Sequence, residues 1–431
     1  MLEPQPFNHP SSNRKALISW AFYDWGTSAF ATLIQTFVFA AYFVNKVAAD
    51  PASGAAVWGF ITGLSALIVA IMSPFIGAAA DQSGGRKVWL ACFTLLAIIC
   101  TALLWFVQPS PNYVPLALIL IGFGSVGAEG AYVFYNAILP VLAKPSEIGR
   151  WSGWGWGMGY FGGTIALVFC LAFLNDQWFG SFLSPLKEVP EGPLRATFLF
   201  AAAWILFFSW PILFFTPQSP PRQVSLKRAF SAGAHQLWST LKKIYIYKNI
   251  VRFLIAKLFY VDGLATLFAF GGIYAASVFD MTSQEVLEFG ISLNVTAGIG
   301  AFIFAHYDDR FGSKRMILLS LIGLIIPGTL AIIAVSKWQF WLLGIILGIF
   351  VGPVQSSSRA FMARIAPPHL RNEMFGFYML SGKATAFFGP LLYGWITYLS
   401  GSLRWGMSSV IFLFIIGGLI MLTVSEEKIE G

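Results

Sequence analysis

Twelve stretches of this chain are each long and apolar enough to cross a lipid bilayer, and they fall in two sets of six. A helix needs about 20 predominantly apolar residues to span the hydrocarbon. The runs are 16–44, 55–80, 88–107, 115–140, 151–174 and 195–215, then, after a polar interval, 250–278, 286–305, 316–335, 339–362, 373–399 and 405–424. No water reaches that depth to satisfy backbone groups, so such runs fold as helices. The expected fold is an all-α membrane protein. Only 11% of the 431 residues are charged, against about a quarter in soluble domains. That excludes a soluble enzyme around one core, a disordered chain and a nucleic-acid-binding protein.

The net charge of +8 then needs another explanation. With twelve spans, both termini lie on one side. Nineteen of the 27 basic residues fall in the loops of that side and five, Lys46, Lys187, Arg195, Lys337 and Arg404, on the other. Basic loops stay in the cytoplasm, so both termini are expected there. The first apolar run is too long for a cleaved signal and reads as a retained helix. Cys92, Cys100 and Cys170 lie within apolar runs without metal-ligand spacing, and His9, His235, His306 and His369 lie in loops or tails. No cofactor or metal is expected, and no phosphate-binding loop points to an ATP-driven pump.

The halves are expected to be residues 1–215 and 250–431, joined by a cytoplasmic linker, 216–249. The linker opens with Pro217, Pro220 and Pro221, which resist helix. Beyond them, Phe230, Leu237, Leu241 and Ile244 recur at helical spacing among Lys227, Arg228, Lys242 and Lys243. That pattern predicts an amphipathic helix at an anionic membrane surface.

The halves repeat each other. Gly77, Asp81, Gly84, Gly85, Arg86 and Lys87 follow span 2; Ala305, Asp309, Arg310, Gly312, Lys314 and Arg315 follow span 8. Asp81 and Asp309 are 228 residues apart. Gly153 and Gly376, opening spans 5 and 11, are 223 apart. Two offsets this close argue for duplicated six-helix halves that rock about a site at the membrane midplane.

The paired Gly-x-x-x-Asp…Gly…Arg-Lys loops resemble the signature of the major facilitator superfamily, with Gly85 as an extra residue in the first copy and Ala305 replacing the leading glycine in the second. The resemblance covers nearly the whole chain. It implies that Asp81, with Arg86, and Asp309, with Arg310, take part in gating, each aspartate facing a helix start in the other half. There the positive end of the helix dipole attracts it. The run Trp20, Phe22, Tyr23, Asp24, Trp25, Gly26, Ser28, Phe30 resembles the autophagy-related vacuolar amino-acid effluxer-like branch, as does the glycine-rich start of span 5, Arg150 to Gly163. Gly159 stands where the superfamily antiporter signature carries proline, which weakens an antiport reading. The chain is short and compact like the bacterial members, so the bacterial inner (cell) membrane is expected.

Six charges lie inside spans: Asp24, Glu129, Lys257, Asp262, Arg359 and Lys383. Each costs roughly 2.5–3.5 kcal/mol to insert and is a functional candidate by default. All but Lys383 fall on spans 1, 4, 7 and 10, which line the central cavity in the superfamily. Glu129 sits among small residues, with Tyr132 and Asn136 following on one helix face. Two readings stand for it: contact with proton or substrate, or a fixed ion pair with Arg359 or Lys383. Asp24 suits a substrate amine, a proton or an ion pair. Asp262 is expected to pair with Lys383. Arg359 aligns with Asn136 across the repeat and Gln355 with Tyr132. Arg359 is a natural carboxylate clamp, placed near enough to the cytoplasmic mouth to snorkel.

The expectation is a monomeric, non-enzymatic secondary transporter working by alternating access. It moves a small polar or zwitterionic, amino-acid-like solute through Asp24, Glu129, Tyr132, Asn136, Asp262, Gln355, Arg359 and Lys383, with proton coupling. Its partners are the solute, protons and the lipid bilayer. The competing readings are a carrier of sugars, nucleosides or amphipathic drugs, and a non-transporting receptor or scaffold on the same fold.

Overall fold

The structure, a computed structural model, describes residues 13–174, 184–217 and 226–425. Pro220, Pro221, Arg222, His9 and Lys428 lie outside the described residues. Every regular element among those described is helical. Before the linker come α1 (Arg14–Val47), α2 (Pro51–Ser83), α3 (Arg86–Leu103), α4 (Val114–Leu142), α5 (Ile148–Phe173) and α6 (Gly192–Phe215). The linker carries α7 (Leu226–Lys242). After it come α8 (Lys248–Phe279), α9 (Ser283–Phe311), α10 (Ser313–Ile333), α11 (Lys337–Ile365), α12 (Arg371–Lys383), α13 (Phe388–Ser400) and α14 (Leu403–Leu422).

Local chemistry sets the ends of these helices. Asp50 caps α2, its carboxylate accepting from the backbone N–H groups of Ala52 and Ser53 at 3.0 Å. Thr282 with Glu285 and Ser336 with Gln339 form capping boxes at α9 and α11. The loops after α2 and α9 turn through Gly84, Gly85 and Gly312 at positive φ (67°, 65° and 87°). Side chains rarely adopt that region, which explains the loop glycines and gives the extra Gly85 a place.

Eleven helices among the described residues are long and apolar enough to cross a membrane. The twelfth crossing differs from the continuous span expected over 373–399. It is two shorter helices, α12 and α13, with tight turns between them: Ala386 N–H donates to the Lys383 carbonyl and Phe388 N–H to that of Thr385. Pro390 is the physical reason. It has no N–H to give the carbonyl of residue 386, and its ring crowds that carbonyl.

The six helices before α7 and the seven after it meet tightly at the end that carries the Asp81 and Asp309 loops. There α2 packs on α12, and α5 on α9. A Cβ on Gly77 would collide with the Asn372 backbone, and one on Gly376 with the Ser73 backbone. Small residues allow this approach in membranes, where packing rather than hydrophobic transfer drives association. The second loop tolerates Ala305 because Gly153 faces it: a Cβ there would lie 2.5 Å from the Ala305 Cβ and 2.7 Å from the Ala301 carbonyl oxygen. Toward the other end the halves separate around a cavity of about 780 Å³.

The linker helix is docked on α2 by one side. Leu237 is buried, and Gly233 lies so close to α2 that a Cβ would sit 2.7 Å from the Ala79 nitrogen. Phe230, Trp238 and Leu241 remain exposed on the outer side.

Candidate functional site

Arg359 on α11 is the centre of the polar interior. It does not snorkel: its side chain is 1% exposed. Among the described residues, its side-chain hydrogen bonds all reach across to the other half. Nη1 donates to Asp24 Oδ2 at 3.0 Å and to Asn136 Oδ1 at 3.4 Å. Nε donates to Ser152 Oγ at 3.0 Å, and Nη2 to the Ser152 carbonyl at 2.7 Å. The guanidinium also lies over the rings of Trp20, Tyr135 and Trp156, at 4.7, 5.4 and 5.5 Å. A planar, delocalised cation suits this mixture of fork-like bonds and ring faces. Arg359 and Asn136, matched by the 223-residue repeat, touch directly.

Asp24 is satisfied from both sides. Tyr132 donates to its Oδ1 and Tyr135 to its Oδ2, each at 2.9 Å. Trp20 helps to fix Tyr135, stacking on its ring at 4.6 Å and donating its indole N–H to the Tyr135 carbonyl at 2.9 Å. A buried charge pair is tolerated only with such further hydrogen bonds.

A second acid–base pair crosses between the halves nearer the open space. Lys383 Nζ lies 2.7 Å from Glu129 Oε1, with side chains 30% and 21% exposed. This overturns the expected Asp262–Lys383 pair. Lys383 ends α12, and the break that follows leaves it free to face Glu129. Asp262 instead accepts from Gly389 N–H at 3.0 Å, capping the start of α13, and it does not line the cavity. Lys257, one turn away on α8, donates to the Tyr378 carbonyl at 2.9 Å near the end of α12. An anion at one helix start and a cation near one helix end oppose the two half-helix dipoles created by the break.

Asp24, Glu129, Tyr132, Asn136, Gln355, Arg359 and Lys383 all line the cavity. Gln355 donates to Tyr160 Oη at 2.9 Å rather than reaching Tyr132. Above this polar floor the wall is largely apolar, with Phe37, Phe268, Phe289 and Phe340 among its residues. α1 contributes through a stretch of π-helical hydrogen bonding, Phe30–Phe37, a widening found often at functional sites.

In the two repeated loops, each aspartate takes the contact expected of it, at a helix start in the other half. Asp81 accepts from the backbone N–H groups of Asn372 and Glu373 at 3.3 and 2.9 Å, at the start of α12. Asp309 accepts from those of Gly149 and Arg150 at 2.8 and 3.1 Å, at the start of α5. Arg86 Nε donates to Asn372 Oδ1 at 2.8 Å. Arg310 differs from Arg86: it is exposed, with its guanidinium over Phe311 at 5.3 Å. The cation at that site is Arg364, bonded to Asp308 at 2.6 Å and Asp309 at 3.0 Å. The repeat had pointed to the arginine beside Asp309, and Arg364 has no counterpart in the loop pattern. Ser152, Tyr135 and Tyr160 were likewise outside the expected site; for Ser152 and Tyr160 the signal was their position in the glycine-rich run Arg150 to Gly163.

A family model described as "Vacuole effluxer Atg22 like" matches residues 44–150 and 146–430. The chain belongs to this Atg22-like family. It is 29% identical over 422 residues to the uncharacterized MFS-type transporter YxiO of Bacillus subtilis (strain 168), covering 95% of this chain and 94% of that one. It is 22% identical to autophagy-related protein 22-1 of Phaeosphaeria nodorum, covering 81% and 72%. Among solved structures, the proton:xylose symporter XylE superposes with a TM-score of 0.74 at 15% identity over 98% of each chain. The transporter FucP in its outward conformation gives 0.72 at 15% identity over 96% of this chain and 98% of that one. Such distant likenesses establish the fold alone. This Atg22-like chain is therefore an integral multi-pass membrane protein with the twelve-helix major facilitator fold, a transporter and not an enzyme.

Proposed function

We propose that this transporter carries a small zwitterion with an apolar side chain, amino-acid-like, by alternating access. The Glu129–Lys383 bond carries the reading. It joins opposite charges from opposite halves, is partly exposed, and opens into the cavity. A zwitterion entering from the open end places its ammonium on Glu129 and its carboxylate on Lys383, replacing one interhalf bond with two bonds to itself. The apolar wall receives the side chain. Arg359, Asn136, Tyr132 and Gln355 form the floor beneath it.

Asp24 is the proposed proton site. A proton there removes the charge that holds Arg359 and loosens α11 from α1, α4 and α5. The bundles 1–215 and 250–431 are the rocking bodies, with 216–249 as their linker, and Asp81, Arg86 and Asp309 hold the closed end. The bias of basic loops supports cytoplasmic termini, and so an outward-facing state here. The extended match to the Bacillus relative supports a bacterial cell membrane.

The apolar wall also favours one alternative, an amphipathic drug-like solute. A thermal-shift screen on the purified protein separates the readings, because a ligand stabilises the state it binds. Neutral amino acids with apolar side chains are expected to raise the Tm. A rise with sugars, nucleosides or amphipathic cations, and none with amino acids, overturns the zwitterion reading.

A further inference from the structure

We propose a second binding site, for a phosphate-bearing anion, between the linker helix and the closed ends of the two halves. A separate cavity of about 750 Å³ lies there. α7 provides one wall, Gln82 of α2 reaches it from the first half, and His369 and Tyr247 reach it from the second. Arg228 and Lys243 line it as permanent cations, with His235 and His369 beside them and no aspartate or glutamate among the lining residues. Ser231 and Ser239 supply hydroxyls. Gln236 and Thr240 are engaged by Glu373 behind the wall, which leaves Arg228, Lys243 and the serine hydroxyls as the donor set that phosphate oxygens take.

The placement of α7 explains why such a site would matter. Gln236 donates to Glu373 on α12 and bonds Gln82 on α2, so one linker side chain ties both halves beside the Asp81 contact. Glu373 is wholly buried under that bond. An anion held by Arg228 and Lys243 fixes α7 in this position and stabilises the closed end. The exposed Phe230, Trp238, Tyr245 and Ile246 around the linker suit headgroup depth, where aromatic side chains settle. The anion is therefore either a lipid headgroup or a soluble phosphate.

The test uses the full chain in phosphatidylcholine nanodiscs, with and without phosphatidylglycerol, and separately with inorganic phosphate added. The expected result is a Tm rise of about 4 °C or more with at least one of the two anions. Arg228→Gln/Lys243→Gln loses the rise while keeping the Tm in phosphatidylcholine alone. Lys242→Gln, which removes a charge from α7 outside the cavity, keeps the rise. A response to phosphatidylglycerol alone assigns the site to a headgroup; a response to inorganic phosphate assigns it to a soluble ester. No rise with either, or an equal loss in Lys242→Gln, overturns the site.

Discussion

Arg359 and Asp24 meet at 3.0 Å with side chains 1% and 5% exposed, and they come from opposite halves of the chain. The two other acid–base groups that meet across the halves inside the membrane, Glu129 and Lys383, are 21% and 30% exposed. On the function proposed here, the difference in burial separates a lock from a binding site.

Breaking the lock from one side is expected to be severe. Removing one partner of a buried pair leaves the other charge uncompensated, at about 3–5 kcal/mol. Asp24→Ala should lower the unfolding Tm sharply. Asp24→Asn, which keeps an acceptor for Tyr132 and Tyr135, should lower it less. Thermal unfolding of both variants in detergent checks the order.

The partly exposed pair should behave in the opposite way. A pair that keeps contact with water contributes less to stability than a fully buried one. Glu129→Gln and Lys383→Gln are therefore expected to keep a Tm close to the parent while abolishing transport in liposomes. A large fall in Tm for either would assign the pair to structure.

At the closed end, glycine spacing sets which state is populated. Gly376→Ala places a methyl against the Ser73 backbone, which has no flexible end to yield. Overpacking of this kind typically costs 1–3 kcal/mol, and here it is charged to the closed arrangement alone. Labelling of an introduced cysteine near Asn372 by a membrane-impermeant reagent on the loop side should rise several-fold.

Asp262 and Lys257 hold the helices on either side of the break between α12 and α13. Asp262→Ala removes the cap at Gly389, and losing a helix cap costs roughly 0.5–2 kcal/mol. Hydrogen exchange is expected to speed up across the first turn of α13 while α11 stays protected. Unchanged exchange there would deny Asp262 a capping role.

How much of this was legible in the sequence depends on range. The spans, the halves and the aspartates of the gating loops follow from local hydropathy and from a repeat. The six membrane charges follow from the cost of placing them there. Their partners do not, because pairing is decided by contacts such as Glu129 with Lys383, 254 residues apart. The expected pairing of Lys383 with Asp262 drew on spans 7 and 11 lying in the same half, and the break in span 11 turns Lys383 toward the other half. Pro390 carried the contrary signal, since it cannot continue the backbone ladder. Arg364 stayed hidden for a related reason: its reach to Asp308 and Asp309 depends on how α11 packs against α9, and no motif encodes that.

The most direct measurement compares, by thermal shift and competition, the best-stabilising neutral amino acid with its carboxamide and its N-acetyl derivative. A site that splits the Glu129–Lys383 bond needs both charges on the ligand. The intact zwitterion should stabilise the parent protein and lose that effect in Glu129→Gln and Lys383→Gln, while neither blocked derivative should stabilise or compete. Equal stabilisation by the zwitterion and both blocked derivatives would contradict recognition by these two residues.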